Sequence, residues 1–309
     1  MQISKQTLII QAPAKINLHL EVKDKRSDGF HDLESIFLAL DFCDTLHFEQ
    51  ISGVKAIDIA MEGPDFPKTE LNNVTELCNI SMHDNIIYKA ISLFRDKTGF
   101  EQGLRIKVEK RIPIGGGLGG GSSDAAAALL ALNRLSGNLL NRDALLDLAA
   151  SLGSDVPFFI HETPAALITG RGEFIKPIKT PSLFFVLVNP GFPSDTAAAY
   201  RLLDEYRKSG KRKEEGENRK DALFHSTFTF SHFPFFNDFL PVFKEQEKSV
   251  YYEIISQLND LGADFASLSG AGSTCFGTFK KKETAEKAAY ALRDKWPFIK
   301  YCGLLNESA

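Results

Sequence analysis

A glycine-rich stretch at residues 113–124 is the part of the chain whose composition points most directly to chemistry. It contains six glycines and two serines and runs into an alanine-rich segment of helix-forming composition at 123–130. Because glycine has no Cβ, successive backbone N–H groups can converge on one ligand. A helix that begins there adds unpaired N–H donors and the positive end of its dipole. The stretch therefore predicts a phosphate-binding loop.

Glycine-rich runs also form flexible linkers and tight turns. Here an alternating apolar segment with Leu104, Ile106 and Val108 enters the run and a helix leaves it, which favours a loop held at both ends. No Gly-Lys-Ser/Thr follows the glycines, and no acidic residue ends a strand about twenty residues downstream, so neither a Walker A loop nor a dinucleotide fingerprint is present. We expect the lysine that serves the phosphates to come from elsewhere in the chain.

Composition narrows the class of protein. The 309 residues are 43% hydrophobic and 25% charged, with a formal net charge of −4, which is typical of a globular protein with one large domain or two smaller ones. Mild acidity argues against nucleic-acid binding, which needs a basic surface, and favours a small-molecule partner.

The apolar runs, the cysteines and the histidines predict where in the cell the protein is found and which cross-links or metals it has. Every apolar run is far shorter than the roughly 18 residues of a membrane span, and polar residues interrupt the candidate signal segment at Lys5, Gln11 and Lys15. The four cysteines form no Cys-x-x-Cys pair, and the seven histidines have no ligand spacing. We therefore expect a cytoplasmic protein with no membrane contact, no disulfide framework and no structural metal.

Periodicity predicts an α+β fold, because strands and helices mix without strict alternation. We expect a first domain over 1–167 and a second over 168–309, with a charged surface loop at 207–221 as a possible insertion. In the first domain the pattern predicts strands within 6–51, an edge hairpin over 45–62, a helix from Ile86 to Lys97 capped by Asp84-Asn85, a strand at 103–109, and helices at 123–136 and 141–152. In the second it predicts strands at 183–189, 264–268, 275–280 and 298–304, and helices at 194–207, 236–246, 249–261 and 283–295.

Several short motifs occur in order along the chain. They are Pro-Ala-Lys-Ile-Asn at 13–17, Arg-Ser-Asp-Gly-Phe-His at 26–31, the glycine-rich stretch, Gly-Ser-Asp-Val-Pro at 153–157, Asn-Pro-Gly at 189–191 and Ser-Gly-Ala-Gly-Ser-Thr at 269–274. Together they resemble the GHMP kinase superfamily of galactokinase, homoserine kinase and mevalonate kinase. Within it they are most similar to the family of 4-diphosphocytidyl-2-C-methyl-D-erythritol kinases. The resemblance covers nearly the whole chain except 207–221.

This resemblance implies a fold and an activity. The fold is a two-domain α+β architecture with a nucleotide-binding N-terminal domain, a smaller substrate-binding C-terminal domain and the active site in the cleft between them. The activity is phosphorylation of the 2-hydroxyl of the cytidine-diphosphate-linked methylerythritol, with ATP as co-substrate and Mg²⁺ as cofactor. Separately from the resemblance, we expect a monomer or loose homodimer that acts on a small molecule.

The resemblance assigns the two catalytic groups to Lys15 and Asp155. Asp155 is the general base for the substrate hydroxyl, and Lys15 keeps Asp155 ionised while it neutralises phosphate oxygens, since positioning and electrostatics carry phosphoryl transfer. The residues alone leave two alternatives open. Lys15 could be an exposed strand lysine, and Asp155 could be a helix cap, because Ser154-Asp155-Val156-Pro157 also has the composition of a helix start.

Binding residues also follow from the resemblance. Phe30 and Tyr200 would sandwich the cytosine with polar contacts from His31, although Phe30 could equally be a core residue in a chain with 25 phenylalanines. Asn17 and Thr196 are plausible contacts to the methylerythritol or diphosphate. Gly270 and Gly272 would form a second glycine nest beside the site, or only a tight turn between strands. The expected ATP contacts are Pro113, Gly115, Gly116, Gly117, Leu118, Gly119, Gly120, Gly121, Ser122 and Ser123, with Ser123 a possible Mg²⁺ contact.

Two other functions compete with this one. A different small-alcohol kinase of the superfamily, such as homoserine or mevalonate kinase, would share the loop and the Lys15 and Asp155 positions, but the Phe30-His31 and 153–157 segments count against it. A catalytically silent sensor that only binds nucleotide or sugar would be expected to lose the base or its lysine. Both are present.

Overall fold

Alternating apolar residues near the N-terminus form two long neighbouring strands. The computed structural model describes residues 7–63, 85–209 and 235–306. Strand β1 (Thr7–Lys25) pairs antiparallel with β2 (His31–Ile51), and the register shifts between Pro13 and Lys15 and again between Asn17 and His19. Such bulges re-aim the side chains that follow them, so they set where the polar residues of β1 point.

The first sheet is built around β2. Its other strands are β3 (Ile57–Glu62), β4 (Gly103–Glu109), β5 (Ala165–Gly170) and β6 (Phe174–Pro177), in the order β3-β4-β2-β5-β6 with β1 beside β2. The expected hairpin over 45–62 is wrong. β3 pairs in parallel with β4, and Ile57 lies opposite Leu104. The neighbour of β3 in the sheet is therefore a strand that begins some forty residues later in the chain, and not the end of β2.

Four helices lie between strands of this sheet in sequence and contribute to its core. They are α1 (Ile86–Thr98), α2 (Gly120–Leu135), α3 (Arg142–Leu152) and α4 (Val156–Ile160). Asn85 caps α1 as predicted, through its side chain to the N–H of Ile87, whereas Asp84 lies outside the described residues. Helix α2 begins at Gly120, three residues before the predicted start, because Gly119 with φ +69° already turns the chain into the helix.

The second sheet is antiparallel with the order β10-β7-β9-β8. Its strands are β7 (Phe184–Asn189), β8 (Phe265–Leu268), β9 (Cys275–Phe279) and β10 (Phe298–Gly303), and its helices are α5 (Thr196–Lys208), α6 (Glu245–Asp260) and α7 (Lys282–Leu292). The helix expected at 236–246 is wrong, whereas the one expected at 249–261 is confirmed and begins earlier, at Glu245. The chain forms a single turn of 3₁₀ helix at Leu240–Val242 around Pro241, and then one continuous helix, α6.

The two sheets share part of their core. Ile16 and Leu38 of the first sheet belong to the same buried cluster as Phe185, Leu187 and Phe276 of the second. The expected α+β class is confirmed. The division at residue 167 stays a proposal, and the first sheet itself continues to Pro177. Most of the charged segment at 207–221 lies outside the described residues, and none of the described helices has the length and apolarity needed to cross a membrane.

Candidate active site

Lys15 is a buried lysine at the first bulge of β1. It is 4% exposed, and its ammonium nitrogen lies 4.6 Å from the centroid of the Phe37 ring. Its backbone N–H donates to the carbonyl of Leu118 at 2.8 Å, which joins β1 to the glycine-rich loop. The exposed-lysine alternative is therefore wrong, and the ammonium needs partners that offset its burial.

Those partners are Asp155 and Asn17. Lys15 Nζ lies 3.2 Å from Asp155 Oδ2 and donates to Asn17 Oδ1 at 2.6 Å. Asp155 occupies the cap position of α4, but its side chain makes no capping hydrogen bond. Since the side chain of Asp155 is one-third exposed and that of Lys15 only 5%, the pair presents a carboxylate at the surface with its counter-ion behind it. The side chain of Asp155 is therefore oriented by Lys15 and does not cap the helix.

The backbone around Asp155 is held from two sides. All five residues of α4 are buried, so the helix that starts directly after Asp155 is anchored in the core. On the other side Gly172 has φ +124°, and a Cβ there would lie 2.7 Å from the carbonyl oxygen of Ser154. Only glycine allows the β5–β6 turn to approach this closely, and the contact limits the movement of the neighbouring aspartate.

The glycine-rich loop turns its carbonyl groups towards the protein. The carbonyls of Gly115, Gly116, Gly117 and Leu118 accept hydrogen bonds from Ser194 N, Thr274 N, Ser269 Oγ and Lys15 N, at 2.8 to 3.1 Å. In a trans peptide the C=O and the following N–H point in opposite directions. Four successive N–H groups, those of residues 116–119, therefore face away from these partners. This is the arrangement expected of a phosphate cradle.

The segment 269–274 packs directly on this loop. A Cβ on Gly117, which has φ +74°, would lie 2.2 Å from the carbonyl oxygen of Ser269. The segment is also a tight turn between β8 and β9, closed by the hydrogen bond from Ser269 N to Thr274 O at 2.9 Å. The tight-turn interpretation is therefore confirmed, and the glycine nest stays a prediction. Gly270 lines the cavity whereas Gly272 does not.

A cavity of about 480 Å³ runs from the glycine-rich loop to α5. Lys15 and Asp155 lie in its wall, and Thr196 and Tyr200 of α5 form another part of that wall. Burial raises the pKa of Tyr200 to about 12, and the negative charge of Asp155 adds to the shift. The Asp155 carboxylate is thus close enough to Tyr200 to influence its ionisation, and both residues line the same cavity.

Most of the predicted site residues meet in this wall. They are Lys15, Asn17, Pro113, Gly115, Gly116, Gly117, Leu118, Gly119, Gly120, Gly121, Ser122, Asp155, Thr196, Tyr200 and Gly270. Ser123, Phe30, His31 and Gly272 lie outside it. Phe30 is 53% exposed and its ring faces the guanidinium of Arg171 at 5.0 Å, so the core-packing alternative for Phe30 is wrong. His31 is buried and stacks on Tyr200 at 5.2 Å between ring centroids.

Comparison with known proteins gives the family. Residues 85–163 match the GHMP kinases N terminal domain, and residues 244–297 match the GHMP kinases C terminal domain. A 4-diphosphocytidyl-2-C-methyl-D-erythritol kinase of Thermodesulfovibrio yellowstonii is 37% identical over 298 residues, covering 94% of this chain and 95% of the relative. One of Treponema pallidum is 33% identical over 317 residues, covering 96% of this chain and all of the relative. This chain belongs to the 4-diphosphocytidyl-2-C-methyl-D-erythritol kinase family.

Solved structures agree with this assignment. A crystal structure of 4-(cytidine 5'-diphospho)-2C-methyl-D-erythritol kinase superposes with a TM-score of 0.73 at 31% identity, covering 97% of this chain and all of the other. A homoserine kinase from Cytophaga hutchinsonii superposes with a TM-score of 0.64 at 18% identity, covering 100% of this chain and 98% of that one, a likeness of fold alone. The chain is an ATP-dependent phosphotransferase of the GHMP type acting on a small molecule.

One group in this family member was missed by the sequence analysis. Lys110, directly before the glycine-rich loop, is buried and bridges two buried carboxylates, Asp44 and Asp124. Asp44 also accepts hydrogen bonds from the backbone N–H groups of Arg111 and Ile112. Since Asp124 lies in the first turns of α2, the cluster connects the segment that enters the loop with the helix that leaves it. In a single sequence these charges are indistinguishable from ordinary surface charges.

A second missed residue is Asn189, at the end of β7. Its amide nitrogen donates to Ser273 Oγ at 3.2 Å and to Thr274 Oγ1 at 3.0 Å, and its Oδ1 accepts from Gly191 N at 2.8 Å. The Asn-Pro-Gly motif therefore holds the 269–274 turn in position against the glycine-rich loop. The motif was noted in the sequence, but nothing in the sequence alone indicated its partner.

Asp124 has an unusual electrostatic environment. Burial raises its pKa, and the negative charge of Asp44 adds to this, so that together they outweigh the opposing effect of Lys110. Its Oδ1 is buried and has no hydrogen-bond partner among the described residues.

The raised pKa of Asp124 predicts a pH dependence of stability. The folded state favours the protonated carboxyl, so Asp124 binds more protons in the folded than in the unfolded chain, and its contribution to stability falls as pH rises from about 4 towards neutrality. We expect Asp124→Asn, which cannot ionise, to abolish this decrease in stability with pH. The decrease corresponds to about 1.4 kcal/mol for each unit by which the pKa is raised. Urea unfolding at several pH values measures it.

The matched control is Asp147→Asn, which removes an exposed carboxylate from α3. As pH rises from acid to neutral, the free energy of unfolding of Asp124→Asn should increase relative to that of the control. If both variants instead follow the wild type in parallel, Asp124 is ionised in the fold with no penalty, and the account of the cluster is wrong.

Proposed function

We propose that this chain transfers the γ-phosphoryl group of ATP to the 2-hydroxyl of 4-diphosphocytidyl-2-C-methyl-D-erythritol, giving the 2-phosphate and ADP. The observation that carries the proposal is the contact between Lys15 and Asp155, 3.2 Å apart, in the wall of the cavity that contains the glycine-rich loop. A base, a cation and a phosphate cradle in one cleft are the parts that phosphoryl transfer requires.

In this reaction Asp155 takes the proton. The hydroxyl oxygen of the substrate attacks the γ-phosphorus, the bond from that phosphorus to the β,γ-bridging oxygen breaks, and the hydroxyl proton passes to the Asp155 carboxylate. Lys15 is directed by Asn17 Oδ1 at 2.6 Å, so its ammonium stays beside both the base and the entering phosphate. General-base assistance of this kind is typically worth about 10²–10⁴ in rate.

The phosphates of ATP fit the N–H groups of residues 116–119, which face away from their protein partners, and the N-terminus of α2. Mg²⁺ prefers oxygen ligands, keeps several waters, and neutralises charge on the transferred group. When such an ion is bound, the Ser122 hydroxyl in the cavity wall would be available to hold it. Ser122 is a better-placed hydroxyl than Ser123, the residue proposed from the sequence, because Ser123 does not line the cavity.

The remaining binding roles stay predictions with different degrees of structural support. Thr196 and Tyr200 are supported by their position in the cavity wall. His31 is supported by its stacking on Tyr200. Phe30, half-exposed and outside the wall, would have to stack on the cytosine from the surface side.

Two further proposals concern the state of the protein. A cytoplasmic location is supported by the free thiols of Cys43, Cys275 and Cys302. A monomer or loose homodimer remains our expectation. Homoserine phosphorylation is less favoured because the homoserine kinase of known structure shares 18% identity with this chain. Mevalonate phosphorylation is less favoured because two mevalonate kinases of known structure that superpose on the chain share 17% and 18% identity, against 31–37% for relatives of the proposed family.

The activity predicts a substrate preference that can be measured directly. Purified protein with ATP and Mg²⁺ is incubated separately with the cytidine-diphosphate-linked methylerythritol, mevalonate and homoserine, and ADP release is followed. We expect turnover only with the first, because the cavity extends from the Lys15–Asp155 pair to the ring of Tyr200, and only the cytidine-linked substrate is long enough to fill it. Turnover of mevalonate or homoserine, without turnover of the cytidine-diphosphate-linked methylerythritol, would show that the assigned activity is wrong.

Asp155→Asn tests the base. We expect the turnover number to fall by about 10²–10⁴ while binding of an ATP analogue is retained, because the amide keeps the shape of the side chain but cannot take a proton. Asp147→Asn again serves as the control for loss of one charge nearby in the chain. An unchanged turnover number in Asp155→Asn would remove Asp155 from the mechanism.

A further inference from the structure

Asp204 of α5 is hydrogen-bonded to the ring of His31. Its Oδ1 lies 2.8 Å from His31 Nε2, and its Oδ2 lies 3.1 Å from Lys25 Nζ. Burial raises the pKa of Asp204, but the hydrogen bonds from Lys25 and His31, together with the charge of Lys25, outweigh that effect and lower it below its ordinary value. Asp204 is therefore an ionised carboxylate, which can only accept hydrogen bonds.

This contact decides which ring nitrogen of His31 carries a proton. A carboxylate beside Nε2 requires a hydrogen on that nitrogen, and in a neutral imidazole the other nitrogen is then an acceptor. That other nitrogen, Nδ1, has no hydrogen-bond partner among the described residues. His31 thus has one fixed donor, used by Asp204, and one acceptor left over in a side chain that is only 5% exposed.

The ring of His31 leaves part of the neighbouring Tyr200 ring uncovered. Its plane is inclined by 22° to that of Tyr200, with 5.2 Å between the centroids. A separation that long between nearly parallel rings is an offset stack, so His31 covers only part of the Tyr200 ring. Tyr200 lines the cavity, and a flat base lying in the plane of His31 would stack on the uncovered part and turn an edge towards the imidazole.

Building on the proposed function, we propose that Asp204 is a positioning residue that makes the site select cytosine over uracil, by holding His31 with Nδ1 as a hydrogen-bond acceptor. The exocyclic amino group of cytosine donates a hydrogen bond where uracil carries a carbonyl oxygen, an acceptor. Cytosine therefore pairs with the lone pair of Nδ1, whereas uracil places two acceptors against each other. Rejection by an unpaired buried polar group is a strong source of specificity.

The test measures base selectivity separately from phosphoryl transfer. Binding of CDP and of UDP is titrated calorimetrically to the wild type and to Asp204→Asn, at mildly alkaline pH. The non-hydrolysable ATP analogue AMP-PNP is kept saturating, so that the glycine-rich loop is occupied. An asparagine can donate to Nε2 as well as accept from it, so it no longer dictates the tautomer of His31.

We expect the wild type to prefer CDP, and the preference to fall roughly tenfold in Asp204→Asn, the value of one hydrogen bond to a buried group. Glu205→Gln is the matched control, because it removes one negative charge from the adjacent, exposed position of α5 and should keep the preference. Thermal unfolding of both variants checks that the fold is intact.

Two results would overturn the inference. One is an equal loss of affinity for CDP and UDP in Asp204→Asn, which would make Asp204 a purely structural residue. The other is a wild type without preference for CDP. Failure of the proposed function is distinct from both, because it would appear as selective CDP binding, sensitive to Asp204→Asn, in a protein that does not phosphorylate the cytidine-diphosphate-linked methylerythritol.

Discussion

The ion pair between Lys15 and Asp155 is the interaction on which the rest of the structure around the cavity depends. It joins a strand near the N-terminus to a helix start in the middle of the chain, and the same lysine holds the glycine-rich loop through its backbone bond to Leu118. Removing an ammonium from water is costly, and the contact with Asp155 and Asn17 offsets that cost only in one geometry. The buried lysine therefore requires that the β1 bulge, the loop and α4 be correctly placed together.

Two buried lysines flank the phosphate cradle in different ways. Lys15 faces a carboxylate that is one-third exposed, so its charge is available to a ligand. Lys110 lies between two carboxylates that are almost completely buried, so its charge is used within the protein to connect the two ends of the loop. The loop between them needs no lysine of its own, which is consistent with its lack of the Gly-Lys-Ser/Thr of a Walker A sequence.

The sequence predicted local features well and distant partnerships poorly. Strand β4 and the caps of α1 follow from apolar alternation and from Asn85, and both depend on residues within a few positions of each other. The β3–β4 pair was missed because its partners are about forty residues apart and parallel. The start of α2 was missed because the left-handed conformation of Gly119 cannot be read from composition in a run of six glycines.

The residues of the site likewise fall into those that sequence motifs indicate and those that only tertiary contacts reveal. The motifs placed most of the wall residues correctly, because resemblance to a family carries spatial information that one sequence lacks. Lys110 with Asp44 and Asp124, Asn189 with the 269–274 turn, and Asp204 with His31 are each set by tertiary contacts. In the sequence each is an unremarkable polar residue, and only its partner gives it a role.

The most direct test of the central claim is a double-mutant cycle on single-turnover phosphoryl transfer, using Lys15→Met, Asp155→Asn and the two changes together. If Lys15 acts through Asp155 on one transferred group, the double variant should lose little more rate than the more damaging single variant, as for catalytic residues that work as a unit. Losses that multiply in the double variant would mean that the two side chains act independently, and would contradict the account.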